Sequence, residues 1–192
     1  MESALIISST EKGLDLLSGL IGAASIGQIT ALQSCGEARR LLLEREFDLL
    51  VVNAPLRDET GESLSRYVAS KGATQVILIV KSEFFDAVSA VCETDGVLTI
   101  SKPLDKAVFW SALMLARSAQ NRIKRMQLEN AKLKQRIEDI RVVDRAKWAL
   151  VSSMGLSEGE AHRLIEKQAM DQRATRREIA EEILGKHEHE RR

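Results

Sequence analysis

Five short runs of apolar, β-favouring residues constrain this chain more than any other feature. They are "ALIIS" (4–8), "QITAL" (28–32), "DLLVVN" (48–53), "QVILIV" (75–80) and "GVLTIS" (96–101). Most are continuously apolar, as a strand buried on both faces must be. The segments between them change to helical spacing: Leu14, Leu17 and Leu20; Ala38, Leu41 and Leu42; Leu64, Tyr67 and Val68; Phe84, Ala87, Val88 and Val91. Val108, Leu113 and Leu115 follow the fifth run. Strands alternating with helices predict an α/β fold with a doubly wound, five-stranded parallel sheet. In such a sheet the functional crevice lies beyond the carboxyl ends of the strands.

Composition narrows the class. The chain has 192 residues, enough for one full core and a smaller appendage. No apolar run approaches the roughly 18 residues of a membrane helix. The opening "MESALIISST" has no basic stretch ahead of its apolar run, so a signal peptide is not expected. Two cysteines, Cys35 and Cys92, are too few for a disulfide framework and fit a reducing, cytoplasmic setting. Net charge is zero but unevenly spread. Residues 1–116 carry 10 Lys/Arg against 15 Asp/Glu, residues 117–147 carry 10 against 4, and residues 148–192 carry 8 against 9. An acidic front followed by a basic segment suits either a polyanion-binding back half or a solvated basic helix.

The predicted strand ends place Ser8 and Ser9 after the first strand, Asn53 after the third and Lys102-Pro103 after the fifth. With "DLLVVNAPLRDETG" and "SKPLD", this order resembles the receiver domain of two-component response regulators (flavodoxin-like) over residues 1 to about 118. That resemblance implies a metal-holding acidic pair where Ser8 and Ser9 stand, and a phosphate-accepting aspartate where Asn53 stands. It implies a hydroxyl residue after the fourth strand, where Val80 or Ser82 falls. An amide is a poor nucleophile and two serines lack the charge to hold Mg²⁺. Ser8, Ser9, Asn53 and Lys102 therefore read as a degenerate phosphoacceptor pocket in a pseudo-receiver. Lys102 either survives from the old chemistry or pairs with an acid such as Asp58. The domain reads as a dimerisation or docking scaffold, with a regulatory protein as its partner.

From Ala116 a new pattern begins. Ile123, Asn130 and Ile137 fall at a positions, and Met126, Leu133 and Ile140 at d positions, of a heptad repeat. No Gly or Pro interrupts the chain between Pro103 and Gly155. A long helix is predicted, with these six residues as the seam of a parallel homodimer. Asn130 would fix its register through paired amides. Glu129 could reach Lys134 of the partner, whereas Arg136 would face Arg141.

The last fifty residues are dense in boundary signals. Gly155 suits the end of the long helix, Ser157/Glu160 and Thr175/Glu178 read as capping boxes, and Gly185 reads as a helix end. Three helices are expected: the end of the long one, 158–171 and 176–184. The residues "RAK" (145–147), "GLSEGEA" (155–161), Leu164, Ala169-Met170 and "REIAEEIL" (177–184) resemble the ANTAR domain of bacterial transcription antiterminators, over roughly 130–186. Trp148 departs from the small residue common in that family. The resemblance implies binding to stem-loops of leader transcripts, which stops a terminator from forming.

The residue chemistry accords with RNA. Phosphates require Arg or Lys, and unpaired bases require stacking planes. Candidate contacts are Arg141, Arg145, Lys147 and Trp148 on the long helix, Arg163 and Lys167 (beside His162) on the next, and Arg173, Arg176 and Arg177 at the start of the third. Each Arg is otherwise a solvated charge, and Trp148 otherwise packs on a helix. His187 and His189 in "KHEHERR" lack further ligands, so no metal or other cofactor is expected and the tail reads as frayed. The expected organisation is a pseudo-receiver (1–118), a coiled-coil linker (119–144) and an RNA-binding helical domain (145–192). No nucleophile–base set or phosphate-cradling loop suggests an enzyme. A DNA-binding response regulator and a protein adaptor without nucleic-acid binding are the alternatives.

Overall fold

A computed structural model describes residues 1–190, in two compact units, Met1–Arg125 and Met126–Arg192. In the first unit the strands are β1 (Ser3–Ser8), β2 (Gln28–Leu32), β3 (Leu49–Asn53), β4 (Gln75–Lys81) and β5 (Leu98–Lys102). All pair in parallel, in the order β2-β1-β3-β4-β5. Helices α1 (Glu11–Gly22), α2 (Cys35–Glu44), α3 (Glu62–Ser70) and α4 (Phe85–Cys92) alternate with them. Helix α5 (Lys106–Met154) continues into the second unit, which adds α6 (Glu158–Gln172) and α7 (Arg176–Glu190).

The alternation of side chains along each strand sorts the core into two layers. Leu5, Ile7, Leu50, Val52 and Leu78 point to the face covered by α2, α3 and α4 through Ala38, Leu64 and Cys92. Ala4, Ile6, Val51 and Ile77 point to the other face, against Leu17 and Ile21 of α1 and Phe109 and Leu113 of α5. The sheet is thus doubly wound. Its order reverses direction at β1, between β2 and β3, so the crevice falls at the ends of β1 and β3, where Ser8 pairs in register with Asn53. Gly61, which precedes α3, has φ +81°, and a Cβ there would press on Val52 at 2.6 Å. Only glycine suits both demands.

At the opposite end of the sheet, Asp48 closes the floor. Its carboxylate accepts hydrogen bonds from the Glu2 and Ser3 amides and from Gln120 Nε2, and pairs with Lys124 at 3.0 Å. Burial alone would raise its pKa. The Glu2 amide and Lys124 overcome that and bring it down to about 2. Because the folded value lies below the ordinary 3.8, the carboxylate stabilises the fold above that pH. The contribution is lost as pH falls through about 2. Asp48→Asn is expected to lower unfolding stability by about 2 kcal/mol at neutral pH. In urea titrations its gap from the parent should close in strong acid.

In the second unit, Val142, Ala146 and Leu150 of α5 pack with Ala161, Ile165 and Ala169 of α6 and with Ile179 and Ala180 of α7. The small residues allow close helix approach. Gly155 (φ +67°) ends α5 as the sequence predicts. Gly185 does not end the last helix: α7 runs to Glu190 and includes the stretch expected to fray. A glycine inside an exposed helix costs only about 1 kcal/mol, too little to stop it without a competing cap. The His189 side chain lies outside the described residues.

Candidate functional site

In the crevice of the first unit, the neutral side chains of Ser8, Ser9 and Asn53 stand beside the Lys102 amine. Asn53 Nδ2 donates to Ser8 Oγ at 3.0 Å, and Ser8 is fully buried. Ser9 Oγ donates to the Pro55 carbonyl at 3.3 Å. Lys102 Nζ donates to the Ala54 carbonyl rather than to Asp58. Burial, then the charge of Lys81, pushes its pKa down. Asp58 is engaged elsewhere, accepting from the Cys35 and Gly36 amides at the start of α2. Val80 is buried in β4, and Ser82 is exposed beyond it.

Helix α1 comes close over this crevice. A Cβ on Gly13 would collide with Ser8 Oγ and lie 2.8 Å from Asn53 Nδ2 and 2.9 Å from Thr10 Oγ1. The receiver fold implies a divalent cation here, and these residues do not fit one. The side chains of Ser8, Ser9, Thr10 and Asn53 offer hydroxyls and an amide, none of them a carboxylate, and the Asn53 amide already donates to Ser8. Among the described residues, no group of three or more His, Cys, Asp or Glu side chains is placed to hold a metal.

In the second unit, the caps read from the sequence form. Ser157 and Glu160 exchange hydrogen bonds, as do Thr175 and Glu178. The cations separate into two sets. Arg177 pairs with Asp139 at 2.7 Å and Glu181 at 2.8 Å, and Arg176 with Glu166 at 3.1 Å. Lys147 bridges Asp144 at 2.8 Å and Glu158 at 2.9 Å, which raises its pKa. The Arg177 hydrogen bond, then that of Gln135, holds the Asp139 carboxyl below its usual range. These bonds tie α5, α6 and α7 to one another. Arg141 makes a looser contact with Glu138 at 3.7 Å.

Arg145, Arg163, Lys167 and Arg173 form no ion pair within 4.0 Å among the described residues, and all are exposed. Arg163 and Lys167 stand one turn apart, opposite the buried Ala161, Ile165 and Ala169 of α6. Trp148 is 70% exposed on the stripe of Arg141 and Arg145. It borders a hollow of about 290 Å³ lined also by Lys147, Val151 and Leu156. His162 faces Glu166 at 3.3 Å. Sequence spacing missed the acidic partners of Lys147, Arg176 and Arg177 on other helices.

The match to a known family falls on this unit, at residues 131–184. Those residues are an ANTAR domain. The transcriptional regulatory protein PdtaR of Mycobacterium tuberculosis is 27% identical over 165 residues, 86% of this chain and 77% of its own length. The aliphatic amidase regulator of Pseudomonas aeruginosa is 28% identical over 112 residues, 58% of this chain and 57% of its own. For the first unit, two solved structures show the fold. A signal receiver domain of an HD domain-containing protein from Pseudomonas fluorescens Pf-5 aligns at TM-score 0.54 and 22% identity, covering 66% of this chain and 91% of that one. A two-component transcriptional regulator, AraC, from Clostridium phytofermentans aligns at 0.56 and 18%, covering 65% and 98%. The chain therefore joins a receiver fold to an ANTAR domain. No helix among the described residues is long and apolar enough to cross a membrane.

The dimer seam proposed from the heptads is solvent-facing in the isolated chain. Met126, Leu133, Ile137 and Ile140 are 51–61% exposed, Asn130 is exposed and Ile123 is half-buried.

Proposed function

We propose that this chain is a cytoplasmic, non-enzymatic transcription antitermination regulator. Its ANTAR domain binds stem-loops of leader transcripts, and its receiver fold, unable to accept phosphate, serves dimerisation and docking. The observation that carries the reading is the ANTAR domain whose exposed Arg145, Arg163, Lys167 and Arg173 form no ion pair within 4.0 Å among the described residues, together with an exposed Trp148 on the stripe of Arg145. Free cations answer phosphates, and an open indole offers a base its stacking plane. Arg141 joins this face. Lys147, Arg176 and Arg177 shape it by holding the helices in place. The name of the M. tuberculosis relative supports transcriptional regulation.

Two subunits joined along residues 119–144 would each grip one stem-loop, and the linkage would raise affinity without new contacts. The crevice supports control without phosphorylation. Asn53 has no nucleophilic oxygen to offer, and Ser8 and Ser9 supply no charge for a cation. Control then passes through abundance or a protein docked on the first unit. After incubation with acetyl phosphate and Mg²⁺, the intact mass should show no phosphate adduct. A stoichiometric adduct would end the pseudo-receiver reading. In gel shifts, a stem-loop RNA from the source cell should bind more tightly than a DNA duplex of like length. Preference for the duplex would make this a DNA-binding regulator, and binding to neither would leave the adaptor.

A further inference from the structure

Between α2 and α3 lies a groove of about 410 Å³. Leu64 and Val68 form its buried floor, while Leu43 and Tyr67 stand in it at 83% and 49% exposure. Four of the ten Lys/Arg in residues 1–116 line it, Arg39, Arg40, Arg45 and Lys71, against one acid, Glu46. In a segment whose charge balance is −5, this concentration of positive charge is not background.

Two of these cations are held in position. The Arg45 guanidinium lies 5.0 Å from the centre of the Phe47 ring and donates to Gln28 at 2.6 Å. Lys71 Nζ lies 4.7 Å from the centre of the Tyr67 ring. Stacking on a ring fixes a cation without neutralising it. Arg39 is paired with Glu59 at 2.8 Å. Arg40, Arg45 and Lys71 have no carboxylate partner within 4.0 Å among the described residues.

We propose that this groove docks a short amphipathic protein segment whose Leu-like side chains are flanked by Asp and Glu. The apolar floor takes the anchors, and the three free cations meet the acids. A nucleic acid would match the cations but leave the exposed Leu43 without an apolar partner, so a peptide fits better. The groove is remote in sequence from the ANTAR domain and lies away from the Ser8–Asn53 crevice, on the layer of the sheet opposite α1. The inference deepens the reading that a docked protein controls the chain, and it stands apart from RNA binding.

The test uses the full chain and a fluorescein-labelled helical peptide of about 14 residues, with leucine at i, i+3, i+4 and i+7 and glutamate elsewhere. A control peptide carries lysine in place of each glutamate. In fluorescence anisotropy the acidic peptide should bind at least about tenfold more tightly than the basic one. Leu43→Glu, and separately Arg40→Glu with Lys71→Glu, should each weaken it by about tenfold or more. Arg145→Ala with Lys167→Ala should leave it unchanged. Leu43 and Arg40 are exposed, so unaltered circular dichroism is expected for both variants. Peptide binding that persists when stem-loop RNA fails to bind would sink the RNA reading alone. Equal binding of both peptides, no binding of either, or wild-type affinity in Leu43→Glu would overturn the proposal. So would displacement of the peptide by single-stranded RNA in Leu43-dependent fashion, which marks a nucleic-acid surface. A halved mass of Leu43→Glu in light scattering would assign the groove to a second copy of the chain and overturn it as well.

Discussion

Ile137→Asp should turn a dimeric chain into a monomer at micromolar concentration, seen as a halved mass in light scattering. The seam residues Met126, Leu133, Ile137 and Ile140 are each more than half exposed in the single chain, although their spacing repeats strictly. A sustained apolar row without a covering neighbour suits a second helix of the same kind. An aspartate at the centre of that seam would be buried without a partner, which costs several kcal/mol. The seam spans only about three heptads, so a loss of that size removes most of what such a short coil contributes. Lys132→Asp, which changes charge outside the a and d positions, should leave the mass intact. A wild type that is already monomeric would refute the coiled coil. Asn130→Ile should keep the chains associated, with greater stability and a less defined register.

The legible parts of this fold are those where one local rule dominates. Strands buried on both faces announced themselves as apolar runs, and "VVN" ended within the crevice, where Ser8 and Asn53 now share a hydrogen bond. The strand boundaries drifted where local geometry took over. β5 starts at Leu98 rather than Gly96, because Gly96 turns at φ +81° and the Val97 amide still bonds back to Cys92. Asp48 was read as the first residue of a strand. Its role depends instead on Glu2, Gln120 and Lys124, separated by up to 76 residues, and no spacing rule reaches that far.

The same limit applies to the ANTAR domain. Its capping boxes are local and could be read directly. The pair of Arg177 with Asp139 spans 38 residues and could not. Sequence chemistry therefore grouped Lys147, Arg176 and Arg177 with Arg145, Arg163, Lys167 and Arg173 as candidate RNA contacts. Lys147 shows where the ion pairs escaped it: its partner Asp144 lies one turn away and was visible, but Glu158 arrives from another helix. Gly13 shows the converse limit. Its small size gave no sign that α1 presses on Ser8 and Asn53.

That separation of the cations leads to the last prediction. Arg145→Glu combined with Lys167→Glu should weaken stem-loop RNA binding by about a hundredfold in moderate salt. Each lost phosphate contact should also flatten the salt dependence, by about 0.7 to 0.9 in log–log slope. Both side chains are exposed and free of ion pairs among the described residues, so thermal stability should hold. Arg177→Ala should behave differently. It leaves Asp139 and Glu181 without their partner, so its first effect is on the helix packing and melting of the domain. As these groups are partly solvent-exposed, that effect is a modest one. Trp148→Ala separates a third contribution. Removing a stacking plane costs about 1–3 kcal/mol per base yet releases no counterions. Affinity should therefore fall while the salt slope stays that of the parent. Wild-type binding in the Arg145/Lys167 variant would place the RNA on another face. A slope that falls in Trp148→Ala would mean that the indole supports the cations rather than a base.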